Sequence, residues 1–396
     1  MITIKLPKLH IAQLEIWNGL KRFTIVIAGR RFGKTLLGLL IILYWALSDK
    51  GVYWWISPNY PIGNIAWRKA KNLVSKIPFK DINIVDRTIT LPNKSIIVFK
   101  SADRPNSLRG EGLKGAVLDE VAFMEEEVWN QSIRPALVDK NGKALFLTTP
   151  KGKNWIYRLY LEAQNKEDWI TFQKPTSDNP YIPKEEIELA RKTTPFYIFQ
   201  QEYLAQFIDN ATSIFRNINT EAKETNPKEH VGHDIYLGVD LAKQADFTVI
   251  TAICKTCNEQ LFIDRSNNLE YLFQEKRIEA HVDRWKPKGI VVETNNIGIP
   301  FIEGLKRKGL SIIEFTTTAH SKPNLIEDLA IAIEMGQLKL LDNKLQLNEL
   351  GAFGFTMNKL GLRSYEATAG HDDIVMALAL AYYGTKHRKD IFLGSL

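Results

Sequence analysis

The sequence has little cysteine and no long apolar run, and each shortage excludes a class of protein. Cys254 and Cys257 are its two cysteines, which is too few for a secreted domain held together by disulfides. A structural zinc site needs four ligands and no second ligand pair exists, so we interpret this CxxC as a tight turn between two strands. The longest apolar run, residues 36–47, is too short to span a bilayer and predicts a buried helix. Residues 1–5 lack the apolar core of a signal peptide, so we expect a soluble intracellular protein.

Length and composition indicate a globular protein with more than one domain. At 396 residues the chain is too long for one ordinary core, and two domains are the natural expectation. Hydrophobic residues make up 45% and charged residues 24%, which are globular values that exclude wholesale disorder. The net charge of +7 fits a polyanionic partner such as nucleic acid. Many proteins without such a partner are equally basic, so the charge is supporting information only.

The hydrophobic pattern predicts an α/β fold in both halves of the chain. In the first half, strands alternate with helices, which indicates a mainly parallel sheet covered on both faces. We interpret its last part, residues 154–207, as a more helical and polar lid subdomain. The Asn-, Thr- and Glu-rich segment 208–233 predicts a linker. Beyond it, three strands precede alternating helices and strands, which is the order of a ribonuclease H-like fold. The predicted domains are therefore 1–207 and 234–396.

The segment 28–35 (AGRRFGKT) has the features of a phosphate-binding loop. It follows an apolar strand and begins a helix, the context that raises such a match above chance. Backbone N–H groups at a helix N-terminus can cradle phosphates, and Gly33 permits their close approach. Lys34 would reach the β- and γ-phosphates, and the Thr35 hydroxyl would bind Mg²⁺. This loop therefore predicts nucleoside triphosphate binding.

The loop departs from the usual pattern in two ways. Ala28 stands where the pattern has its first glycine, and Arg30 and Arg31 make the loop unusually basic. We expect both arginines to lie around the bound phosphates, together with Gly29.

An acidic pair, Asp119-Glu120, follows the apolar strand predicted at 115–118. Asp119 would hold Mg²⁺ through water, and Glu120 would position or deprotonate the attacking water. The alternative is a loop that binds nucleotide structurally without turnover, and Glu120 argues against it. Thr148 and Thr149 end another apolar strand. They could sense the γ-phosphate and relay hydrolysis to motion, or form an ordinary polar turn, and the sequence leaves both open.

A second group of carboxylates stands at the edges of apolar runs in the other half of the chain. Asp240 and Glu293 each end a predicted strand, and Asp372 and Asp373 begin an apolar helix. Such carboxylates can converge, and hard oxygen ligands suit Mg²⁺ or Mn²⁺. Two such ions about 4 Å apart can activate water and stabilise the leaving oxygen of a phosphodiester. Asp372 could instead cap its helix. The second choices for this site are Asp246 and His371.

Two basic stretches and the end of the chain are candidate contacts. A solvated face is the commoner role for any one basic run. The C-terminal residues 387–396 are a candidate docking segment, or a frayed end. The candidate DNA contacts are Lys306, Arg307, Lys308, Lys359 and Arg363.

With these motifs in this order, the chain resembles a large terminase subunit, the DNA-packaging motor of tailed bacteriophages. The resemblance covers nearly the whole chain and implies an N-terminal P-loop ATPase and a C-terminal ribonuclease H-like nuclease domain. It implies that Gln13 contacts adenine. It also implies a phosphate-stabilising arginine, for which Arg109 is the candidate, although a surface-loop role is equally open. In the nuclease, Asp240 would bridge the metals, Glu293 would bind from the middle strand, and either acid of the 372–373 pair would complete the site.

The function that the resemblance implies is an ATP-driven motor that moves double-stranded DNA into a prohead, with a nuclease that cuts the concatemer. Its cofactors would be ATP with Mg²⁺, and two Mg²⁺ or Mn²⁺ ions in the nuclease. Its partners would be double-stranded DNA, the portal protein, a small terminase subunit and further copies of itself in a ring, with no membrane. It would act in the host cytoplasm, transiently on the prohead, and be absent from the mature virion. The alternatives are a helicase–nuclease of DNA repair or recombination, which would need a second motor domain, and a DNA-binding scaffold with degenerate sites.

Overall fold

The computed structural model describes residues 6–208, 214–241, 247–267, 270–294, 299–357, 363–367 and 370–386. The chain divides into two compact units. The N-terminal unit comprises Met1–Arg191 and Phe196–Asp209, and the C-terminal unit comprises Lys192–Pro195 and Asn210–Leu396.

The N-terminal unit is built on a sheet with the strand order β3-β4-β5-β2-β6-β7-β1-β8. Strands from β5 to β8 in that order run parallel, and β3 and β4 add an antiparallel hairpin at one edge. The strands are β1 (Phe23–Ala28), β2 (Val52–Ser57), β3 (Asp81–Asn83), β4 (Thr88–Thr90), β5 (Ile96–Ser101), β6 (Gly115–Asp119), β7 (Lys143–Thr148) and β8 (Trp169–Lys174). The helices are α1 (Ile11–Asn18), α2 (Lys34–Ser48), α3 (Tyr60–Val74), α4 (Arg134–Ala136), α5 (Trp155–Ala163), α6 (Lys184–Thr193) and α7 (Phe196–Glu202).

Strand β1 shows why this sheet is covered on both faces. All six of its residues are buried, as expected of a strand inside a parallel sheet. Because side chains alternate across a strand, Val26 packs in the layer that contains Leu37 of α2, and Ile25 packs in the opposite layer with Trp129. The mainly parallel α/β sheet predicted from the sequence is therefore confirmed.

Part of the segment predicted as a lid belongs to the sheet. Strand β8 lies within 154–207, yet it pairs in parallel with β1 along its whole length, from Phe23–Trp169 to Ala28–Lys174. The sequence did not predict this strand because polar residues alternate along it. An edge strand tolerates them, since it is covered less completely than a central strand. Helix α2 is the apolar run noted above. Among the described residues, none of the helices has both the length and the apolar character needed to cross a bilayer.

The C-terminal unit has a sheet with the order β11-β10-β9-β12-β13. Strand β9 pairs antiparallel with β10 and parallel with β12, and this mixed pattern follows the predicted ribonuclease H-like order. The strands are β9 (Ile235–Asp240), β10 (Phe247–Cys254), β11 (Glu259–Asn267), β12 (Gly289–Glu293), β13 (Ile312–Phe315) and the hairpin β14 (Phe353–Met357) with β15 (Arg363–Ala367). The helices are α8 (Tyr271–Trp285), α9 (Ile299–Arg307), α10 (Ser321–Glu334), α11 (Lys344–Ala352) and α12 (Asp373–Lys386).

The described part of the segment predicted as a linker packs into the C-terminal unit. Phe215 is buried, with its ring centroid 5.8 Å from that of Phe353. Farther along, the Ala222 amide donates to the Leu340 carbonyl at 3.2 Å. His230 is also buried. Residues 214–233 therefore form a strap that packs on β14 and beside Leu340 within the C-terminal unit. The apolar residues of the strap are too widely spaced to form a helical or strand pattern.

Candidate active sites

Strand order in the N-terminal unit brings three predicted motifs to one edge of the sheet. Strand β7 lies between β6 and β1, with Asp119 paired to Leu147 and Ile27 paired to Thr148. Parallel neighbours end at the same edge of a sheet, and ligands of open α/β sheets bind there. The phosphate loop after β1, the acidic pair after β6 and the threonines after β7 are therefore neighbours.

The phosphate loop turns into α2 through a glycine that no other residue could replace without strain. Gly33 has φ +98°, and a Cβ built on it would lie 2.5 Å from Gln13 Nε2. Lys34 is the first residue of α2 and Thr35 the second, so the free N–H groups of the first helical turn face the loop. This geometry fits the anion-binding role predicted from the sequence.

Lys34 is the centre of the site's hydrogen bonding. Its buried ammonium donates to the Ala28 carbonyl at 2.8 Å, to the Gly29 carbonyl at 3.1 Å and to the Thr149 hydroxyl at 2.8 Å. Burial lowers the pKa of Lys34, and the charges of the neighbouring Glu120 and Asp119 oppose that shift. A buried cation held among three oxygens is well placed to attract a phosphate group.

Asp119 has the environment of a metal ligand. It is 3% exposed, and burial, together with the charge of Glu120, raises its pKa to about 7 although Lys34 opposes the shift. Its Oδ1 has no hydrogen-bond partner among the described residues, which is costly for a buried carboxylate. A divalent cation would compensate for that cost, and hard oxygen ligands such as this one suit Mg²⁺.

Glu120 and the two threonines form one hydrogen-bonded group. Glu120 adopts a left-handed backbone conformation with φ +54°, and its Oε2 accepts the Thr149 N–H at 3.4 Å. The Thr148 hydroxyl accepts the Ala122 N–H at 3.2 Å and donates to the Thr149 carbonyl at 2.8 Å. A displacement of Glu120 would therefore change its hydrogen bond with the Thr149 N–H. The hydrogen bond from Lys34 to the Thr149 hydroxyl would change with it.

The sequence did not predict three residues that support the phosphate loop. The Thr176 hydroxyl donates to the Arg30 carbonyl at 2.8 Å, and Asn179 Nδ2 donates to the Arg31 carbonyl at 2.7 Å. Glu202 pairs with the Arg30 guanidinium, and this hydrogen bond raises the pKa of Arg30. These residues lie between 146 and 172 positions from their partners in the loop, and no local pattern marks them.

Gln13 and Arg109 lie in different settings. Gln13 is 3% exposed, its Nε2 donates to the Gly33 carbonyl at 3.2 Å, and its Oε1 accepts the His10 N–H at 3.2 Å. It therefore braces the phosphate loop from α1. Arg109 lies on an exposed loop, where its guanidinium donates to Gln131 Oε1 at 3.1 Å. The adenine-contacting and phosphate-stabilising roles of these two residues stay predictions.

The carboxylates of the C-terminal unit converge through strand register and one close helix contact. Val239 pairs with Val292 in parallel, so Asp240 and Glu293 end adjacent strands at the same edge. Helix α12 packs on β9 so closely that a Cβ on Gly238 would lie 2.0 Å from the Ala377 carbonyl oxygen. Only glycine permits this approach, which places the N-terminus of α12 beside the strand ends.

The electrostatics of Asp240 show how close these acids are. Burial and the negative charges of Glu293, Asp373 and Asp372 raise the pKa of Asp240 well above its ordinary value, and Lys322 only partly opposes them. Carboxylates that repel one another in this way fit a site for divalent cations, which would supply the missing positive charge.

The two adjacent aspartates have different surroundings. The Asp373 side chain is 8% exposed and lies 3.9 Å from Arg265 Nη2 and 3.7 Å from His371 Nδ1. The Asp372 side chain is 31% exposed and lies 3.5 Å from Lys322 Nζ. Asp373 is therefore the more enclosed of the two predicted ligands. The second-choice acid Asp246 lies outside the described residues.

Arg265 and Glu349 are further polar residues beside this site. Glu349 Oε2 accepts the Ile374 N–H at 2.8 Å, so it caps α12, and its Oε1 lies 3.7 Å from Arg265 Nη2. Burial raises the pKa of Glu349 to about 7. Arg265 also stacks 3.5 Å from the centroid of the Phe247 ring. Sequence reasoning missed both residues, since each is a single charge within an otherwise unremarked strand or helix.

The candidate DNA-contact residues are partly engaged within their own unit. Lys306 pairs with Glu314, and Lys308 pairs with Glu275 at 2.6 Å. Arg363 Nη1 lies 3.6 Å from Glu327. Lys359 and the C-terminal segment 387–396 lie outside the described residues.

The interpretation of Cys254 and Cys257 as a simple turn needs correction. They do lie at the β10–β11 turn, but His230 and His233 converge on them, and the four potential ligand atoms lie within 4.8 Å of one another. The statement that no second ligand pair exists was wrong, because histidines were not considered as the partners of the cysteines. The missed signal was an HxxH pair whose second histidine lies 21 positions before Cys254.

Comparisons with known proteins identify the family of each half of the chain. The family model described as "Terminase large subunit, T4likevirus-type, N-terminal" matches residues 25–222, and the model "Terminase RNaseH-like domain" matches residues 237–383. The terminase large subunit of Thermus virus P23-45 is 27% identical over 95% of this chain and 87% of its own length. That of Escherichia phage T5 is 27% identical over 71% of this chain and 69% of its own length.

A solved structure supports the fold over nearly the whole chain. This large terminase, from a thermophilic bacteriophage, has a TM-score of 0.53 and 16% identity, and the match covers 96% of this chain and 99% of that one. The two family models and the curated relatives confirm the resemblance noted from the motifs, with both enzymatic domains. The chain belongs to the terminase large-subunit family and combines an N-terminal ATPase domain with a C-terminal ribonuclease H-like nuclease domain.

Proposed function

We propose that this protein uses ATP hydrolysis to translocate double-stranded viral DNA into a prohead and cuts concatemeric DNA with a two-metal nuclease. The observation that carries the proposal is the hydrogen-bonded chain Lys34–Thr149–Glu120. It joins the phosphate loop, the Thr-Thr segment and the acidic pair, which are the parts that a motor needs to turn hydrolysis into motion.

In the ATPase, each residue at the sheet edge has one task. Lys34 and the N–H groups at the start of α2 would bind the phosphates, and Thr35 and Asp119 would hold Mg²⁺. Glu120 orients the attacking water and accepts its proton. When the γ-phosphate leaves, Glu120 and Lys34 change their electrostatic partners, and Thr149 contacts both of them. The Thr148–Thr149 segment is therefore the proposed relay to the DNA-moving parts.

In the nuclease, the carboxylates hold the cations and the surrounding residues hold the carboxylates. Asp240, Glu293 and Asp373 are the proposed ligands, with Asp372 at the rim. Two Mg²⁺ or Mn²⁺ ions would lower the cost of forming a nucleophile from water and would stabilise the leaving oxygen. Glu349 fixes the first turn of α12 through the Ile374 N–H and so positions Asp373.

The proposed partners are those that this activity requires. The substrate is double-stranded DNA, and the proposed protein partners are a portal, a small terminase subunit and further copies of this chain in a ring. The proposed place of action is the host cytoplasm, on the prohead during packaging. Arg109 remains the proposed phosphate-stabilising arginine; its exposed position is compatible with insertion into a neighbouring subunit.

In vitro packaging tests the proposal. Linear double-stranded DNA, ATP and cognate proheads are mixed with wild type, Glu120→Gln or Asp240→Asn, and DNA protected from added nuclease is measured. Glu120→Gln is expected to abolish protection, and Asp240→Asn is expected to package linear DNA normally but to leave a concatemer uncut. Matched exposed acids, Glu186→Gln and Asp342→Asn, serve as controls. Unwinding of a forked duplex with no protection of DNA would favour a helicase–nuclease and contradict the proposal.

A further inference from the structure

Four side chains of metal-ligating types meet on the C-terminal unit, apart from the nuclease carboxylates of that unit. His230 ends the 3₁₀ turn Pro227–His230, and His233 follows after Gly232, whose φ of +81° turns the chain back. Cys254 is the last residue of β10, and Cys257 lies in the turn that leads into β11. Two short segments from distant parts of the sequence therefore each contribute a pair of ligands.

The distances within this His-Cys cluster are those of a single tetrahedral ion. The two Nδ1 atoms of His230 and His233 are 3.3 Å apart. Between nitrogen and sulfur, His233 Nδ1 lies 3.5 Å from Cys254 Sγ and 3.3 Å from Cys257 Sγ, and His230 Nδ1 lies 3.7 Å from Cys257 Sγ. Zinc bond lengths in a tetrahedron give about 3.3 Å between two nitrogens and about 3.6 Å between nitrogen and sulfur.

The surrounding hydrogen bonds orient the ligands. His230 Nε2 lies 2.8 Å from the Thr225 hydroxyl. If Nε2–H donates to that hydroxyl, the lone pair is on Nδ1, the atom that faces the other three ligands. The Cys257 N–H points to Cys254 Sγ at 3.4 Å, an interaction that stabilises a thiolate. The Thr225 hydroxyl and the Cys257 N–H thus orient two of the four ligands toward a common cation.

We propose that His230, His233, Cys254 and Cys257 bind one Zn²⁺ ion as a structural site. Two imidazoles and two thiolates in a tetrahedral arrangement are a ligand set that zinc prefers. A two-iron cluster with the same ligands would hold the histidines and the cysteines on different irons, too far apart for contacts of 3.3 Å. All four positions are filled by protein, so no position remains for water or substrate.

The location of the site also indicates a structural role. Strand pairing aligns Ile235 with Cys254 and Asp240 with Val249, so the cluster and the nuclease carboxylates lie at opposite ends of the same two strands. The length of strand between these two pairs is about 17 Å. The zinc ion would fasten the segment 225–233, which precedes β9, to the β10–β11 turn. It would thereby fix the start of the central strand that carries Asp240 at its other end.

Metal analysis of the full-length chain tests the proposal. The protein is purified without chelator, equilibrated with excess Mg²⁺ to occupy the carboxylate site, and assayed for zinc by mass spectrometry. One zinc ion per chain is expected in wild type and in Asp240→Asn, and its loss is expected in Cys257→Ser and His233→Ala. His320→Ala, a change at an exposed histidine outside the cluster, is the matched control and should keep its zinc.

Cobalt replacement covers the case in which the ligand variants do not fold. Wild-type protein grown with Co²⁺ is expected to show the visible bands of tetrahedral cobalt and a thiolate charge-transfer band.

Chelation of the zinc ion is a second test. It should expose both thiols to a thiol reagent and lower the unfolding temperature of wild type. Folded Cys257→Ser should show no such shift in unfolding temperature. A wild-type chain without stoichiometric metal, a Cys254–Cys257 disulfide, or octahedral cobalt bands would overturn the proposal.

Discussion

The two proposed active sites both gather carboxylates at the ends of parallel strands, but they balance that charge differently. In the ATPase, the Lys34 ammonium lies inside the site and opposes the raised pKa of Asp119. In the nuclease, Asp240 faces three other acids, and Lys322, the cation that opposes their effect on its pKa, is paired with Asp372 at the rim. The first site supplies much of its own positive charge, and the second depends more on cations from outside.

This contrast in charge indicates what each site is prepared to bind. A buried lysine among carbonyls and a helix N-terminus attracts an anion, and one metal ligand beside it is enough to hold the phosphate's Mg²⁺. A group of carboxylates whose neighbouring cations, Arg265 and Lys322, offset only part of their charge attracts metal ions first and the DNA phosphate through them. Single substitutions in either site can remove or accentuate the contrast.

Removal of the Lys34 ammonium from the ATPase site should have the largest effect on activity. Lys34→Ala is expected to lower ATP turnover about 100- to 1000-fold, because a preorganised charge on the transferring phosphate is lost. Phosphate release measures this effect, and plasmid cleavage with Mn²⁺ should remain. Lys50→Ala, at an exposed lysine, is the control; an equal loss of cleavage in Lys34→Ala would contradict the separation of the sites.

The adjacent aspartates of the nuclease should differ in effect. Asp373→Asn is expected to lower DNA cleavage at least about 100-fold, and Asp372→Asn less than about tenfold, because only Asp373 is enclosed among the other acids. Initial rates of plasmid nicking at saturating Mn²⁺ measure both. Equal losses in the two variants would mean that burial does not identify the ligand.

The metal-free protein should lose stability as the pH rises. The pKa of Asp240 is raised in the fold, and those of Asp119 and Glu349 are raised to about 7. A raised carboxyl pKa means that the folded state holds its proton more tightly. The stability it gives is therefore complete below about pH 4 and is lost as the pH passes the folded pKa.

Urea unfolding in chelator between about pH 5 and pH 8 measures this loss. Asp240→Asn is expected to remove part of it and to be more stable than wild type at the upper end of that range, because the repelling charge is gone. Added Mg²⁺ should reverse the order of the two proteins. A wild type whose stability increases over this pH range would contradict the proposed charge repulsion.

The smallest effect is expected at the hydroxyl that accepts the Lys34 hydrogen bond. Thr149→Val keeps the shape of the side chain but removes this acceptor, and should lower ATP turnover about tenfold. Thr149→Ser keeps the hydroxyl and should restore most of the rate. If valine and serine behave alike in phosphate release, the hydroxyl has no part in the relay.

The features that depend on local pattern and strand order were predicted from the sequence. Strand β1, helix α2 and the strand ends at Asp119, Asp240 and Glu293 were all placed correctly, because apolar periodicity and a polar residue at a strand end are local signals. The fold and the family were also predictable, because the motifs occur along the chain in the order that is typical of the family.

The features that were not predicted depend on contacts between distant segments. Thr176 and Glu202 reach the phosphate loop, and Glu349 reaches the start of α12, only after the chain has folded. Strand β8 was hidden in a polar segment, since an edge strand needs only one apolar face. The His-Cys cluster was missed because β9 and most of β10 separate its two histidines from its two cysteines along the sequence.

The separation of two catalytic sites on one chain is tested best by measuring both activities on the same preparations of Glu120→Gln and Asp240→Asn. Each variant is expected to lose one activity by at least about 100-fold and to keep the other within about threefold. Glu120→Gln should cleave plasmid with Mn²⁺ but release no phosphate from ATP, and Asp240→Asn should do the reverse. Normal cleavage by Asp240→Asn, or the loss of both activities in either variant, would contradict two separate sites.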